Sequence, residues 1–206
     1  MSKKPRSTQH SLRGVRVLVG RAKHQAGALS AELKKRGAEV VEIPFIQIRK
    51  SKSFRPLDAA LKNLDTYDWL ILTSVNGVEA MWARIKTKRG GRDFSRAVKA
   101  TKPEEAFAAA GNLRIAAIGP ATKKAIEQRG MQVDVVPKEY VAESVVRSLK
   151  SKVKGKHVLL VRAKVARDVI PNELRKAGAH VDVVEAYETV VPESSRSISD
   201  PVVASV

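Results

Sequence analysis

The stretch "TSVNG", Thr73 to Gly77, sets two hydroxyls, an amide and a glycine behind the apolar run "WLIL" and ahead of a helix-like "VEAMW". Backbone N–H groups at a helix start, with hydroxyls beside them, form a site for an anion. "IGPAT" repeats the arrangement: Gly119 and Pro120 shape a turn and Thr122 begins a helix. A third apolar run, "HVLLV", exits into "RAK" and brings Arg162 and Arg167. "EYVAESVVRSL" adds Tyr140, Glu143 and Ser144 at a fourth helix start. Any one of these loops alone reads as a helix cap, which Ser and Thr supply routinely. Three at the exits of strands in one sheet describe a cleft, since open α/β sheets take ligands at that edge.

Other chemistries find no support in the residues. There is no zinc spacing, no Walker loop and no GxGxxG, and His10, His24, His157 and His180 show no metal-ligand spacing. His157 opens a strand and His180 lies just past a helix end, so both read as solvated. Nor can a Ser-His-Asp set or a carboxylate pair be read. The absence of cysteine excludes a disulfide framework, thiolate zinc and a cysteine nucleophile, and fits a reducing cytoplasm. "MSKKPRSTQHSLRG" leads into no signal-type stretch and no run is long enough to span a bilayer, so a soluble, cytoplasmic protein without membrane association is expected. A formal charge of +18 attracts polyanions: nucleic acid, anionic membrane or a substrate with many carboxylates. The densest basic stretch is "KTKRGGRDFSRAVKATK", which reads as a surface insertion.

The elements that must position these loops recur along the chain. "VRVLVGRAKHQAGALSAELKKRGAEVVEIPF" and "HVLLVRAKVARDVIPNELRKAGAHVDVVEAY" each hold an apolar strand, an "RAK" turn, a helix ending at Gly and a second strand. Arg21 to Gly37 and Arg162 to Gly178 are both sixteen positions apart. Both glycines fall where a helix C-terminus takes a left-handed residue. "LRIAAIGPATKKAIEQRGMQVDVVP" is a looser third copy. Strands alternating with helices of this length predict βαβ units, an α/β fold and parallel sheets. The strands "VRVLV", "WLILT", "RIAAI" and "HVLLV" are nearly continuous apolar runs, as sheets covered on both faces require.

Taken in order, "VLVGRAKHQAGALSAELKKRGAEVVEIPFIQI", "YDWLILTSVNGVEAMW", "RIAAIGPATKKAIEQRGMQVDVVPKEYVAESVVRSL" and "LLVRAKVARDVIPNELRKAGAHVDVVEAYET" resemble the uroporphyrinogen-III synthase family, from Val15 to Thr189. The resemblance implies two flavodoxin-like parallel-sheet domains joined by a two-stranded connector, the first domain discontinuous. It predicts a basic disordered tail at 1–13, the N-terminal part of domain 1 at 14–45, and domain 2 at 46–185 with a basic insertion at 86–112. The connector and a return to domain 1 fall at 186–206.

The resemblance further implies a lyase that closes linear hydroxymethylbilane into uroporphyrinogen III, inverting the last pyrrole ring, with no metal and no organic cofactor. The eight carboxylates of that tetrapyrrole suit a basic cleft lined with amides. Tyr187 in "AYET" takes the place of the family's tyrosine assigned as proton donor, against the plainer reading of a half-buried strand-end tyrosine. Arg21, Thr73, Ser74, Asn76, Gly119, Thr122, Tyr140, Ser144 and Arg162 become substrate-binding candidates. After "AYETVVPE" the family continues with further strand–helix units, whereas this sequence runs to "SISDPVVASV". An incomplete first domain is therefore expected, with self-association or a partner to complete it. The competing expectation is a non-catalytic basic α/β module that binds nucleic acid or another polyanion. No nucleic-acid motif is present and stacking aromatics are few, at 4% of residues, so nucleic acid is the weaker partner.

Overall fold

The computed structural model describes residues 11–20, 23–43, 45–88 and 111–193 of the 206. Arg21, most of the 1–13 tail, most of the 86–112 stretch and the chain from residue 194 lie outside the described residues. The strands predicted from the apolar runs are all present: β1 (Arg16–Val19), β4 (Trp69–Leu72), β5 (Arg114–Ala117) and β6 (His157–Ala163). Behind helices come β2 (Glu39–Glu42) and the long β7 (His180–Val190), while β3 (Gln47–Lys50) follows β2 directly. The helices are α1 (Lys23–Lys35), α2 (Arg55–Lys62), α3 (Val75–Lys88), α4 (Pro120–Glu127), α5 (Ala142–Leu149) and α6 (Val169–Lys176).

The chain divides into two compact units, one from Lys50 to Glu188 and the other made of the sequence on either side. The five-stranded sheet has the order β3-β7-β6-β4-β5, with β4, β5, β6 and most of β7 in the larger unit; β4 runs parallel to both β5 and β6, as β6 does to β7. From β4 the chain steps outward to β5 and then crosses back to β6 on the other side. That reversal is a topological switch point, and it opens a crevice at the carboxyl ends of β4 and β6. Trp69, Ile71, Val158 and Leu160 pack in one core with Val145, Val146 and Leu149 of α5 and Ile170 and Leu174 of α6. The alternate residues Leu70, Leu72, Leu159 and Val161 are equally buried, and α3 packs on β4 and β6. Burial of both strand faces explains why these runs show no polar alternation.

The repeat noticed in the sequence is physical. After α1, Gly37 (φ 94°) donates to the Lys34 carbonyl at 2.9 Å, and Ala38 to that of Leu33 at 3.1 Å. After α6, Gly178 (φ 88°) and Ala179 repeat those bonds to Arg175 and Leu174 at 2.9 and 3.0 Å. Both are Schellman endings, which need a left-handed residue after the helix and bury the residue behind it. In the smaller unit β1 and β2 pair in parallel, with α1 packed along β2. Leu18 is 53% exposed there and Val15 43%, so this small sheet buries much less of its apolar surface than the larger one.

Candidate functional site

A cavity of about 340 Å³ opens at the carboxyl edge of the larger unit. Thr73 follows β4, Ile118 follows β5, Arg162 and Ala163 end β6, and Tyr187 lies near the end of β7; all of them line it. Leu160 and Ile170 add apolar wall, and Tyr140 with Val141 stands before α5. The lining is therefore mainly apolar with a few convergent polar groups, the usual make-up of a small-molecule site.

A register shift aims the tyrosine. Arg162 pairs with Glu185, but the next residue of β6, Ala163, pairs with Tyr187, so β7 carries one extra residue at Ala186. Such bulges reorient side chains and are frequent beside functional sites. Tyr187 is 8% exposed and its hydroxyl donates to Ser74 Oγ at 2.9 Å. Ser74 Oγ also accepts the Gly77 N–H at 3.0 Å, the bond an N-cap makes to the third helical residue. Cap and site are thus the same hydroxyl: Ser74 starts α3 and anchors Tyr187. Gly77 leaves room for this, because a Cβ there would lie 3.3 Å from Ser74 Oγ.

Arg162 is 9% exposed. Its Nη2 donates to Asp168 Oδ1 at 2.7 Å and its Nη1 to the Arg167 carbonyl at 3.1 Å. Its Nε is buried and has no acceptor among the described residues. Beside it, Arg167 makes a two-pronged ion pair with Glu143 (2.8 and 3.3 Å), tying the loop after β6 to the first turn of α5. The Glu143 carboxyl is held below its ordinary range, first by its own backbone N–H and then by Arg167.

Tyr140 is 60% exposed at the cavity mouth, and its ring rests on Gly119. A Cβ at Gly119 would stand 3.1 Å from Tyr140 Cγ, so this glycine is required by close approach and not by its backbone angles. Of the residues expected from sequence, Thr73, Tyr140, Arg162 and Tyr187 line the cavity, and Ser74 and Gly119 support it. Thr122 is buried at 4% inside α4. Ser144 donates to Glu139 at 2.9 Å and accepts from Arg147 at 2.5 Å. Neither Thr122 nor Ser144 reaches the cavity wall, nor does Asn76. Ile118, Val141 and Ile170 were missed; the signal available for Ile118 was its place just before "GP" at a strand exit.

At the opposite, amino-terminal edge a second cavity of about 580 Å³ is lined by Asp68, Arg114, Asp134, Lys152 and Lys156. Much of its polarity is already in use: Asp68 takes Lys156 Nζ at 2.8 Å and the His157 N–H at 2.9 Å, and Asp134 takes the Ile115 N–H at 2.7 Å. His157 and His180, read as solvated from sequence, are exposed register partners with rings stacked 4.9 Å apart. No group of three or more His, Cys, Asp or Glu among the described residues could hold a metal ion.

The family model described as "Uroporphyrinogen-III synthase HemD" matches residues 27–203. The chain belongs to the uroporphyrinogen-III synthase family. It is similar to the uroporphyrinogen-III synthase of Synechococcus elongatus, 32% identical over 185 residues that cover 89% of this chain and 64% of that protein. It is also similar to the porphyrin biosynthesis protein HemD of Ruminiclostridium josui, 29% identical over 192 residues, 92% of this chain and 35% of that one. The chain thus spans 64% or less of the length of these two relatives. Among solved structures, a mutant uroporphyrinogen III synthase from Thermus thermophilus superposes with a TM-score of 0.65 at 18% identity, covering 88% of this chain and 65% of that one. That likeness bears out the α/β, parallel-sheet fold expected of the family. Among the described residues, no helix is long and apolar enough to cross a membrane.

Proposed function

We propose that this chain works as a uroporphyrinogen-III synthase, closing linear hydroxymethylbilane into uroporphyrinogen III with inversion of the last pyrrole ring and loss of water. The observation that carries the proposal is the switch-point cavity, where the buried Arg162 and Tyr187 and the exposed Tyr140 stand among apolar walls. A linear tetrapyrrole presents that combination in reverse, with flat apolar rings edged by ionised carboxylates.

The chemistry asks little of classical acid–base machinery. The hydroxymethyl C–O bond breaks with help from the pyrrole's own electrons, leaving an azafulvene cation, and the hydroxyl departs as water once it gains a proton. Ring closure at the substituted carbon then depends on how the chain is held. Orientation of that kind can supply roughly 7–11 kcal/mol in favourable intramolecular cases. Tyr187 is the proton donor in this proposal, a role typically worth about 10²–10⁴-fold. As its O–H turns toward the leaving hydroxyl, Tyr187 releases Ser74 as acceptor and can receive the Ser74 O–H instead, so the pair stays linked while its donor direction reverses. Thr73, Tyr140 and Arg162 meet the substrate directly, while Asn76, Gly119, Thr122 and Ser144 shape the loops that hold them. Arg21 is carried as a further binding candidate on the family resemblance alone.

The proposal includes a cytoplasmic setting and self-association through the small unit, where Leu18 and Val15 are exposed. Enzymatically generated hydroxymethylbilane, incubated with the chain and oxidised for separation of isomers, tests the activity. Isomer III above the spontaneous isomer I background supports the proposal; isomer I alone refutes it for this chain.

A further inference from the structure

The loop that leaves β6 is fixed at both ends. At its start Lys164 donates its N–H to the Tyr187 carbonyl at 2.9 Å and its Nζ to Glu188 at 2.9 Å. At its end the Asp168 carbonyl accepts the Asn172 N–H at 3.1 Å, opening α6. Asp168 makes no side-chain cap there, although aspartate is among the favoured capping residues. Its carboxylate holds Arg162 Nη2 instead. Between these ends Val165 is 77% exposed. Among the described residues, no backbone hydrogen bond holds the N–H of Val165, Ala166 or Arg167.

The middle of the loop is held by one ion pair. Arg167 reaches Glu143 with both Nη groups, at 2.8 and 3.3 Å. The two side chains remain 67% and 49% exposed, and exposed pairs are weak and screened by salt. The pair joins two separate pieces of the cavity wall: Ala163, Ala166 and Arg167 line it from the loop, and Val141 and Ala142 from the start of α5. The Arg167 carbonyl also accepts Arg162 Nη1 at 3.1 Å, so a shift of the loop at Arg167 moves an anchor of that buried guanidinium. Glu143 itself does not reach the cavity wall.

We infer that the Arg167–Glu143 ion pair is a clasp that holds the Lys164–Asp168 loop closed on α5, which makes Glu143 a positioning residue for Arg162 and the cavity wall. Its use in turnover rests on the synthase proposal above; the clasp rests on the geometry. Plain electrostatics predicts the opposite sign. Removing a carboxylate beside a cavity that takes an anion should strengthen binding, whereas removing a clasp should weaken it, because only the closed fraction is ready to bind.

Glu143→Gln keeps the side-chain size and removes the charge. In the full chain, NMR order parameters of the Val165 and Ala166 amides should fall from about 0.85 to below about 0.6, with those of Trp69–Leu72 unmoved. With hydroxymethylbilane as substrate, KM for isomer III should rise about three- to fivefold, the upper part of what an exposed ion pair supplies, and kcat should change much less. Glu143 acts through Arg167, so the same change on an Arg167→Gln background should add no further rise. Unchanged loop order in Glu143→Gln, a lower KM, or equal effects in both backgrounds would each overturn the inference. A salt series on the wild-type chain decides the matter even if the variant does not fold. Going from roughly 50 mM to 1 M should loosen the same two amides by screening the pair, and unmoved amides would overturn the clasp. Loop order that responds as expected without isomer III would keep the clasp and remove the synthase proposal. Isomer III with an unresponsive loop would do the reverse.

Discussion

Tyr187 and Ser74 share one hydrogen bond that serves two purposes, and substitutions can separate them. Tyr187→Phe removes the hydroxyl and keeps the ring that fills the cavity wall. Formation of isomer III should fall by about 10²–10⁴-fold, the usual weight of a positioned acid, with the thermal midpoint moving only slightly. Isomer analysis and a melting curve on one preparation check both halves. Gly119→Ala acts at a distance from any hydroxyl, because its Cβ would press on the Tyr140 ring at 3.1 Å. The ring should swing from the cavity mouth, which a change in Tyr140 ring resonances would report, with fold content unchanged by circular dichroism. Hydroxyls at strand exits made Thr73 and Ser74 legible in the sequence, and "VRAK" did the same for Arg162. Nothing local marked the bulge at Ala186 that aims Tyr187, since register belongs to the pairing of two strands distant in sequence. The turn of Ser144 toward Glu139 and Arg147 is local, five and three positions away, but a hydroxyl at a helix start serves a neighbour or a ligand equally well, so its residue type does not choose between them.

Among the elements, α3 begins on the residue that anchors the site. Ser74→Ala should cost about 1 kcal/mol from the lost cap alone, measurable by chemical denaturation. The same change should loosen Tyr187, so activity should fall further than stability explains. The helix–glycine–strand repeat was legible because a Schellman ending constrains the glycine and its neighbours locally, as the identical bonds around Gly37 and Gly178 show. The central strands were legible because burial on both faces forces unbroken apolar runs. The stacked histidines at the starts of β6 and β7 were not, because the stack comes from strand alignment and not from spacing along the chain.

For the whole molecule, the two units should differ in how readily they open. A two-stranded sheet with Leu18 half exposed protects its amides less than a five-stranded one. Hydrogen exchange should be faster across Arg16–Val19 than across Trp69–Leu72; equal protection would show that association shields the small unit. At the amino edge, Asp68 ties β4 to β6: its carboxyl is held below the ordinary 3.8, chiefly by the Lys156 ammonium and then by the His157 N–H. A depressed carboxyl adds stability above its ordinary value and loses it as pH falls through the depressed one. Asp68→Asn should therefore lower stability at neutral pH and flatten its acid dependence, as urea titrations across pH 2 to 6 would reveal.

The polarity of the sheet also determines where the chain can be rewritten. Helix α3 leaves the ligand edge at Val75 and runs back, so Lys88 at its end and Gly111, three residues ahead of Arg114, both lie toward the opposite edge. Linkers, tags or whole inserted modules placed between these residues should leave ligand selectivity intact, which makes this the natural port for grafting a reporter onto the protein.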